Sequence, residues 1–434
     1  MSLSTILPSG EARRPVLLLA LGAFALGTDA YVISGVLPKV GQDLGVGIGV
    51  AGQLITVFSA VYALSAPVLA VATSHFKRKQ LLLAALAFFS LANVLAAVAP
   101  NYGVLIAARV LAALAAATYM PSATAAAATI AVPQERGRAL AAVLGGLTVA
   151  NAVGVPLGTF VGQSSGWRAT FVFVAAVGAV SVLGIAATLK TVASPPVASL
   201  AQRIAVGRKR AVPSTLLATA LGMAGIFVVF SYLAWFSQHT VNVTGRGLSI
   251  VYLVIGVTAV FSSSAAGWLI DHMPAVRVGS IGLGGLALTS LALAGVAHWG
   301  GGAVLLCVVL GAWSLIGWIF NPAQQQRLFG LAPGPLGPIA LSLNSSAIYA
   351  GQALASGLGA LALTSGPTTL ALVATGAVVL AWITMYFSAW RASTAPAAAP
   401  PPAQTAAVAG PGAGTGAGAG SSAGSSAGSS ASAN

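Results

Sequence analysis

Twelve apolar runs, each about twenty residues or a little longer, follow one another between residues 15 and 389. Crossing a hydrocarbon layer of about 30 Å takes about 20 helical residues at a rise of about 1.5 Å each. Within lipid a backbone must satisfy its own N–H and C=O groups, so only helices or closed barrels can span it. These runs are continuous rather than alternating, which selects helices. They are placed at roughly 15–37, 50–73, 80–99, 103–128, 138–162, 169–189, 213–236, 248–270, 277–297, 301–323, 337–363 and 367–389. The predicted fold class is therefore all-α and integral to a membrane, with twelve transmembrane helices.

Charge supports this and orients it. Only 6% of residues are charged, against about 25% in soluble domains. The net charge of +14 comes from 19 Lys and Arg, most of them in short loops between the apolar runs. That is a topological signature rather than a nucleic-acid groove. With a cytoplasmic N-terminus, fifteen of them fall inside: Arg13, Arg14, Lys77, Arg78, Lys79, Arg136, Arg138, Lys190, Arg203, Arg208, Lys209, Arg210, Arg277, Arg327 and Arg391. Three fall outside: Lys39, Arg168 and Arg246. Basic residues mark the cytoplasmic side, so both termini are expected there. The bacterial inner membrane is the expected location. The first run is too long for a signal-peptide core and lacks an A-x-A site after it; it reads as an uncleaved first helix.

The longest inner connection, about 190–212, contains Pro195, Pro196 and Arg208-Lys209-Arg210 and divides the helices six and six. The domain reading is a cytoplasmic N-terminus (1–14), a six-helix bundle (15–189), a basic linker (190–212), a second bundle (213–390) and a tail (391–434). The tail, Ala/Pro- and then Gly/Ser/Ala-rich, cannot build a core and is expected to be disordered. Cys307 is the only cysteine, which excludes a disulfide framework. His75, His239, His272 and His298 lie at loops without ligand spacing. No metal or cofactor is expected, and no phosphate-binding loop suggests ATP drive. Gly282-x-Gly284-x-x-Ala287 sits inside a membrane run and reads as packing.

The two halves repeat. The loop after helix 2 reads APVLAVATSHFKRKQ, Ala66 to Gln80, and the loop after helix 8 reads GWLIDHMPAVRVG, Gly267 to Gly279. Further segments are LGTDAYVISGVLPKVGQDLGV (Leu26 to Val46), LIAARVLAAL around Arg109, GVPLGTFVGQSSGWRATF (Gly154 to Phe171) and LNSSAIYAGQALASGLGA (Leu343 to Ala360). Through these the chain, over roughly residues 12–390, resembles the major facilitator superfamily, and within it drug–proton antiporters and arabinose-efflux-like permeases. The resemblance implies two pseudo-symmetric six-helix bundles rocking about a central site, a small-molecule substrate and no enzyme activity.

There are departures. The family's inner-loop motif is Gly-x-x-x-Asp-Arg-x-Gly-Arg-Arg or Lys. Its Asp and Arg positions are Ser74 and His75 here, and its later Gly is Lys77; Arg78 and Lys79 remain. The second half keeps Gly267 and Asp271, with His272 for Arg, and Arg277 further on. The resemblance gives these residues a gating role. It gives the same role to the antiporter motif of helix 5, Gly154, Pro156, Gly158 and Gly162, where the proline is one place late and Thr159 replaces a glycine. The three glycines, four apart, form one smooth face suited to close approach in lipid.

Of five acidic residues, Glu11, Asp29, Asp43, Glu135 and Asp271, only Asp29 lies within an apolar helix. A carboxylate at that depth costs a few kcal/mol or more unless paired or neutralised. Desolvation favours its protonated form, as a proton carrier requires. A structural polar residue is the other role open to it. Arg109 is the one cation inside helix 4, at a depth similar to Asp29, so a direct or water-mediated pair can form. The resemblance ties Arg109 to proton coupling; a static charge pair is the alternative. Candidates for a substrate cavity are Tyr31, Gln53, Tyr119, Asn151, Tyr232, Trp235, Trp313, Asn321, Asn344, Tyr349 and Gln352, whose amides, hydroxyls and rings suit an amphipathic or sugar-like solute.

The expected function is proton-driven efflux by alternating access, energised by the proton gradient and carried out by a monomer in the bilayer. An importer or facilitator of a sugar, nucleoside or organic acid is the alternative. A membrane-embedded enzyme or sensor lacks support, because clustered His, Cys and paired carboxylates are missing.

Overall fold

In the computed structural model, residues 8–190, 192, 198–209 and 211–393 are described. Pro195, Pro196, Arg210 and the tail from 394 lie outside them, as does the side chain of Arg391. Among the described residues there are no strands and twelve helices long and apolar enough to cross a membrane. The first bundle comprises α1 (Arg13–Asp43), α2 (Ile48–Ala72), α3 (Arg78–Ala97), α4 (Tyr102–Ile130), a fifth span made of α5 (Arg136–Val149) and α6 (Val155–Ser165), and α7 (Trp167–Thr188). A short helix α8 (Leu200–Gly207) lies in the linker. The second bundle comprises a seventh span of α9 (Val212–Ser231) and α10 (Leu233–Val241), then α11 (Arg246–His272) and α12 (Ala275–Trp299). Its tenth span joins α13 (Ala303–Gly317) and α14 (Phe320–Leu331), and α15 (Gly337–Ala362) and α16 (Pro367–Ser393) complete it.

The boundaries correct the sequence expectation in three places. The first helix does not end near Pro38: it runs through that residue to Asp43. The fifth span carries a π-helical turn, Ala150–Gly154, that ends two residues before Pro156. Proline has no N–H to donate four residues back and its ring crowds that carbonyl, which suits a local widening of the helix. The tenth span breaks at Trp318 and Ile319, and Pro322 stands four residues beyond Trp318, the same cause acting again. In the linker the described residues 198–209 include a capped helix. Ser199 and Gln202 form a reciprocal cap at the start of α8, and Arg203 donates to the Ser342 hydroxyl of α15 at 2.6 Å. Burial pushes the Arg203 guanidinium below its ordinary value.

The glycine face of helix 5 finds its partner within its own bundle. A Cβ on Gly154, Gly158 or Gly162 would meet Thr28 Oγ1 at 2.1 Å, Val32 Cγ2 at 2.6 Å or Val36 Cγ1 at 2.4 Å. Thr28, Val32 and Val36 are themselves four apart on α1, so two matching faces mesh. Gly158→Leu is therefore expected to overpack this seam by about 1–3 kcal/mol or more. A lowered thermal midpoint of the purified protein, read from intrinsic fluorescence, checks it.

The two bundles meet at mid-depth and at the end away from the linker. Ser356 Oγ of α15 donates to Gly52 O of α2 at 2.7 Å, and Tyr252 of α11 donates to Ser34 Oγ of α1 at 2.9 Å. At Gly256 of α11 an added Cβ would stand 2.4 Å from Asn151 O and 2.5 Å from Ala152 Cα, so the π turn presses backbone to backbone on the other bundle. At the linker end, among the described residues, no hydrogen bond joins helices of one bundle to helices of the other.

Candidate functional site

Asp29 and Arg109 are both removed from solvent, at 0% and 1% exposure. Arg109 Nη1 donates to Asp29 Oδ1 at 2.7 Å, and Nη2 donates to the Asp29 backbone oxygen at 3.4 Å. The pair follows from sequence plus helix geometry: α1 and α4 run in opposite senses, Asp29 lies near the middle of α1, and Arg109 lies about two turns into α4. Pairing offsets part of the cost of each charge, since an isolated buried ion is several kcal/mol worse off than in water. Yet the pair is incomplete. Asp29 Oδ2 and Arg109 Nε are buried without a partner, as is the neighbouring Thr28 Oγ1. One carboxylate oxygen is thus free to accept a proton without first breaking the contact to Oδ1.

An aromatic band surrounds the pair and crosses between the bundles. The Arg109 guanidinium lies 4.4 Å from the centre of the Phe58 ring, where the ring face attracts a cation. Phe58 is 6.4 Å from Tyr349, and Tyr349 stacks on Tyr62 at 3.8 Å. On the other side Tyr31 stacks on Phe227 at 5.6 Å and meets Phe230 edge-on at 5.9 Å. Phe227 continues to Trp318 at 6.3 Å. Phe58, Tyr62 and Tyr31 come from the first bundle; Tyr349, Phe227, Phe230 and Trp318 come from the second. The buried Trp318 Nε1 is a free donor, and Gln352 Oε1 a free acceptor.

Several predicted cavity residues lie elsewhere. Tyr119 is a core residue of the first bundle: it is buried, covers Gly22 and donates to Leu19 O at 3.0 Å. Trp313 is buried within the second bundle. Trp235 stacks on His239 near the end away from the linker. Tyr232 closes over Gly52 and Gly359 and donates to Ser356 O at 2.7 Å, which makes it part of the seal between bundles. Large aromatics give no sign in sequence of whether they face a cavity or a core. Gln53 is partly buried on α2. Asn151 lies in the π turn. Asn344 donates to Asn321 at 3.4 Å and accepts from Thr219 at 3.1 Å.

That last contact opens a polar chain that the sequence reading missed. Gln324 is fully buried and donates to Thr215 O and Thr219 Oγ1, while Arg327 donates to Gln324 Oε1 at 2.9 Å. The signal was available: Asn321, Gln324 and Arg327 are three apart on one helical face, next to a proline. Arg327, counted as an inner-loop charge, belongs to α14.

The loop residues separate. Arg78 is buried and donates to Ser122 Oγ at 3.3 Å; Lys79 donates to Ala186 O at 2.9 Å. Both contacts stay inside the first bundle. Gly267 has open space around it. Asp271 and Arg277 are exposed, and His272 stacks on Trp268. Ser74 brings no charge to this loop, and among the described residues no ion pair here fastens the two bundles.

A sequence model described as Major Facilitator Superfamily matches residues 19–355. The Uncharacterized MFS-type transporter YbcL of Bacillus subtilis (strain 168) is 34% identical over 346 residues, 79% of this chain and 87% of that protein. The Inner membrane transport protein YdhP of Escherichia coli (strain K12) is 30% identical over 380 residues, 86% of this chain and 96% of that one. A Chloramphenicol resistance protein of Streptomyces lividans is 33% identical over 271 residues, covering 60% and 68%. Among solved structures, a bacterial homologue of the human lysosomal transporter Spinster, in an inward-facing and occupied conformation, superposes with a TM-score of 0.70 at 17% identity, over 87% of this chain and 96% of that one.

Proposed function

This chain belongs to the major facilitator superfamily, and from that premise we propose that it exports a small uncharged amphipathic compound, a drug or a sugar, in exchange for protons. As a multi-pass secondary transporter of this family it moves a small molecule across a bilayer. The observation that carries the finer reading is the Asp29–Arg109 pair. It is buried at mid-depth, in contact at 2.7 Å, and retains one free carboxylate oxygen. A proton arriving at Oδ2 weakens the pull on Arg109; release of the proton restores it. The relative named for chloramphenicol resistance supports the outward direction.

Charge balance supports an uncharged solute. With Asp29 ionised the pair is neutral; with Asp29 protonated the positive charge of Arg109 is left. In neither state does the site offer net negative charge, so an organic cation gains nothing there. Rings of the aromatic band and the free Trp318 and Gln352 groups provide stacking and hydrogen bonds. In this reading both termini are cytoplasmic, the chain works as a monomer in the inner membrane, and the closed end faces outside. Arg78, Lys79, Gly267, Asp271, His272 and Arg277 move with the inner ends as the bundles rock.

The test uses inside-out vesicles from cells with and without the protein, acidified internally and offered labelled chloramphenicol, an uncharged dye or an arabinose analogue. Uptake that rises with the gradient and collapses with a protonophore is expected. Uptake only under the reversed gradient sinks the export reading. It would favour proton-coupled import, for which Arg327, a cation without a carboxylate partner among the described residues, suits an organic acid.

A further inference from the structure

A groove of about 500 Å³ opens on the side of the second bundle between α11 and α13. Val251, Val254 and Thr258 line one wall, and Cys307, Val308 and Gly311 the other. The one hydroxyl, on Thr258, is already spent on Val254 O and Ile255 O of its own helix. The rim is apolar and open: Ile250 is 57%, Val304 78% and Val308 63% exposed. In a membrane protein such a rim faces lipid. The trough exists because Ala303, Cys307 and Gly311, four apart, give α13 one small-residue face. A Cβ at Gly311 would already reach Val254 Cγ1 at 3.3 Å.

Size and charge identify the occupant. From Arg246 to Thr258 is twelve residues, about 18 Å of helix, and the groove stops there. Half of a hydrocarbon core of about 30 Å is close to that, so the groove is one leaflet deep. Arg246, Ile250, Val254 and Thr258 are four apart on α11, which puts Arg246 on the groove face, one turn beyond Ile250. The other two basic residues of this end are engaged. Lys39 donates to Gly162 O and Gln163 O, and Arg168 is paired with Asp43. Arg246 is exposed and, among the described residues, has no ion pair or hydrogen bond.

We propose that the groove between α11 and α13 holds one acyl chain of an anionic phospholipid, whose headgroup phosphate rests on Arg246. Lipid tails are as apolar as the groove, so no hydrophobic gain separates this site from bulk lipid. The concave wall supplies dispersion contacts along the chain, and the selectivity comes from the ion at the mouth.

Full-length protein, delipidated in detergent, is titrated with phosphatidylglycerol or phosphatidylethanolamine and examined by native mass spectrometry. The unaltered chain is expected to retain one phosphatidylglycerol in preference to phosphatidylethanolamine. Arg246→Gln should reduce that retention about fivefold, the effect of one basic side chain at an anionic lipid surface, and remove the preference. A second measurement needs no variant: Cys307, the only cysteine in the chain, lies in the groove, so added phosphatidylglycerol should slow its alkylation by N-ethylmaleimide. Inorganic phosphate should leave that rate unchanged, because it brings no acyl chain. Equal retention of the two lipids, undiminished retention in Arg246→Gln, an alkylation rate indifferent to phosphatidylglycerol, or protection by phosphate alone would each overturn the proposal.

Discussion

In proteoliposomes with an imposed pH gradient, Asp29→Asn brings gradient-driven solute movement down to the level of protein-free vesicles. Asn keeps the shape and can still accept from Arg109 through its amide oxygen, but it cannot take up a proton. The substitution also leaves Arg109, 1% exposed, as a buried cation without its counter-charge. Removing one partner of a buried pair costs about 3–5 kcal/mol. The thermal midpoint of Asp29→Asn should therefore fall well below that of the unaltered protein. Arg109→Gln combined with Asp29→Asn deletes both charges and should recover much of that loss. Transport should stay absent in both. Stability and transport thus separate: a pair that merely holds the fold together would regain transport along with stability. Gradient-driven transport at the unaltered rate in Asp29→Asn would reject the proton-carrying role outright.

The second large effect concerns the closed end. An ideal Cβ at Gly49 on α2 lies 3.5 Å from Cβ of Ala360 on α15, across the two bundles. Disulfide-bonded cysteines have Cβ atoms about 3.5–4.5 Å apart. In a Cys307→Ala background, Gly49→Cys with Ala360→Cys should cross-link under mild oxidation and stop transport almost completely. Reduction should restore it. Either cysteine alone should transport under both conditions. Rocking of the bundles requires this end to part, and a covalent tie adds a barrier that no solute affinity can overcome. Full transport by a protein shown on a gel to be quantitatively cross-linked would mean that the halves do not separate here. The surrounding contacts already describe what must break: Ser356 to Gly52 O, Tyr252 to Ser34, and the backbone contact at Gly256. The hydrogen bonds among them are individually modest, roughly 1 kcal/mol for a typical one, which suits a seal that opens in every cycle.

The seal also explains an imbalance between the two ends. At the linker end the family's loop carboxylate is Ser74 here, and Arg78 and Lys79 are engaged within their own bundle. The end away from the linker has direct contacts between bundles, and the linker end lacks a charged latch among the described residues. The state seen, closed away from the linker, is the one that these contacts favour.

Amino-acid order alone decided that the chain spans a membrane twelve times, because a backbone in hydrocarbon has to bond to itself and only long apolar helices do so. It also brought out Asp29 and Arg109, since ionisable groups inside apolar runs are costly and few, and it put them at comparable depth by counting residues along two helices. Rotation was beyond it. Whether Asp29 turns toward Arg109 or toward lipid depends on how α1 and α4 are rolled, and that is set by contacts such as Val32 on Gly158. The same limit hid the difference between Tyr119, a core residue bonded to Leu19 O, and Tyr349, which stacks on Tyr62 across the bundles. Both are tyrosines in small-residue helices, and only neighbours far away in sequence tell them apart. The Gln324–Arg327 chain was missed for a related reason: a charge near a helix end counts as loop in a hydropathy scan until a proline-broken helix carries it into the bundle. Local sequence fixes which groups can lie in lipid, since each residue meets the bilayer on its own; which of them meet one another is a property of packing between helices, and only the tertiary structure held that information.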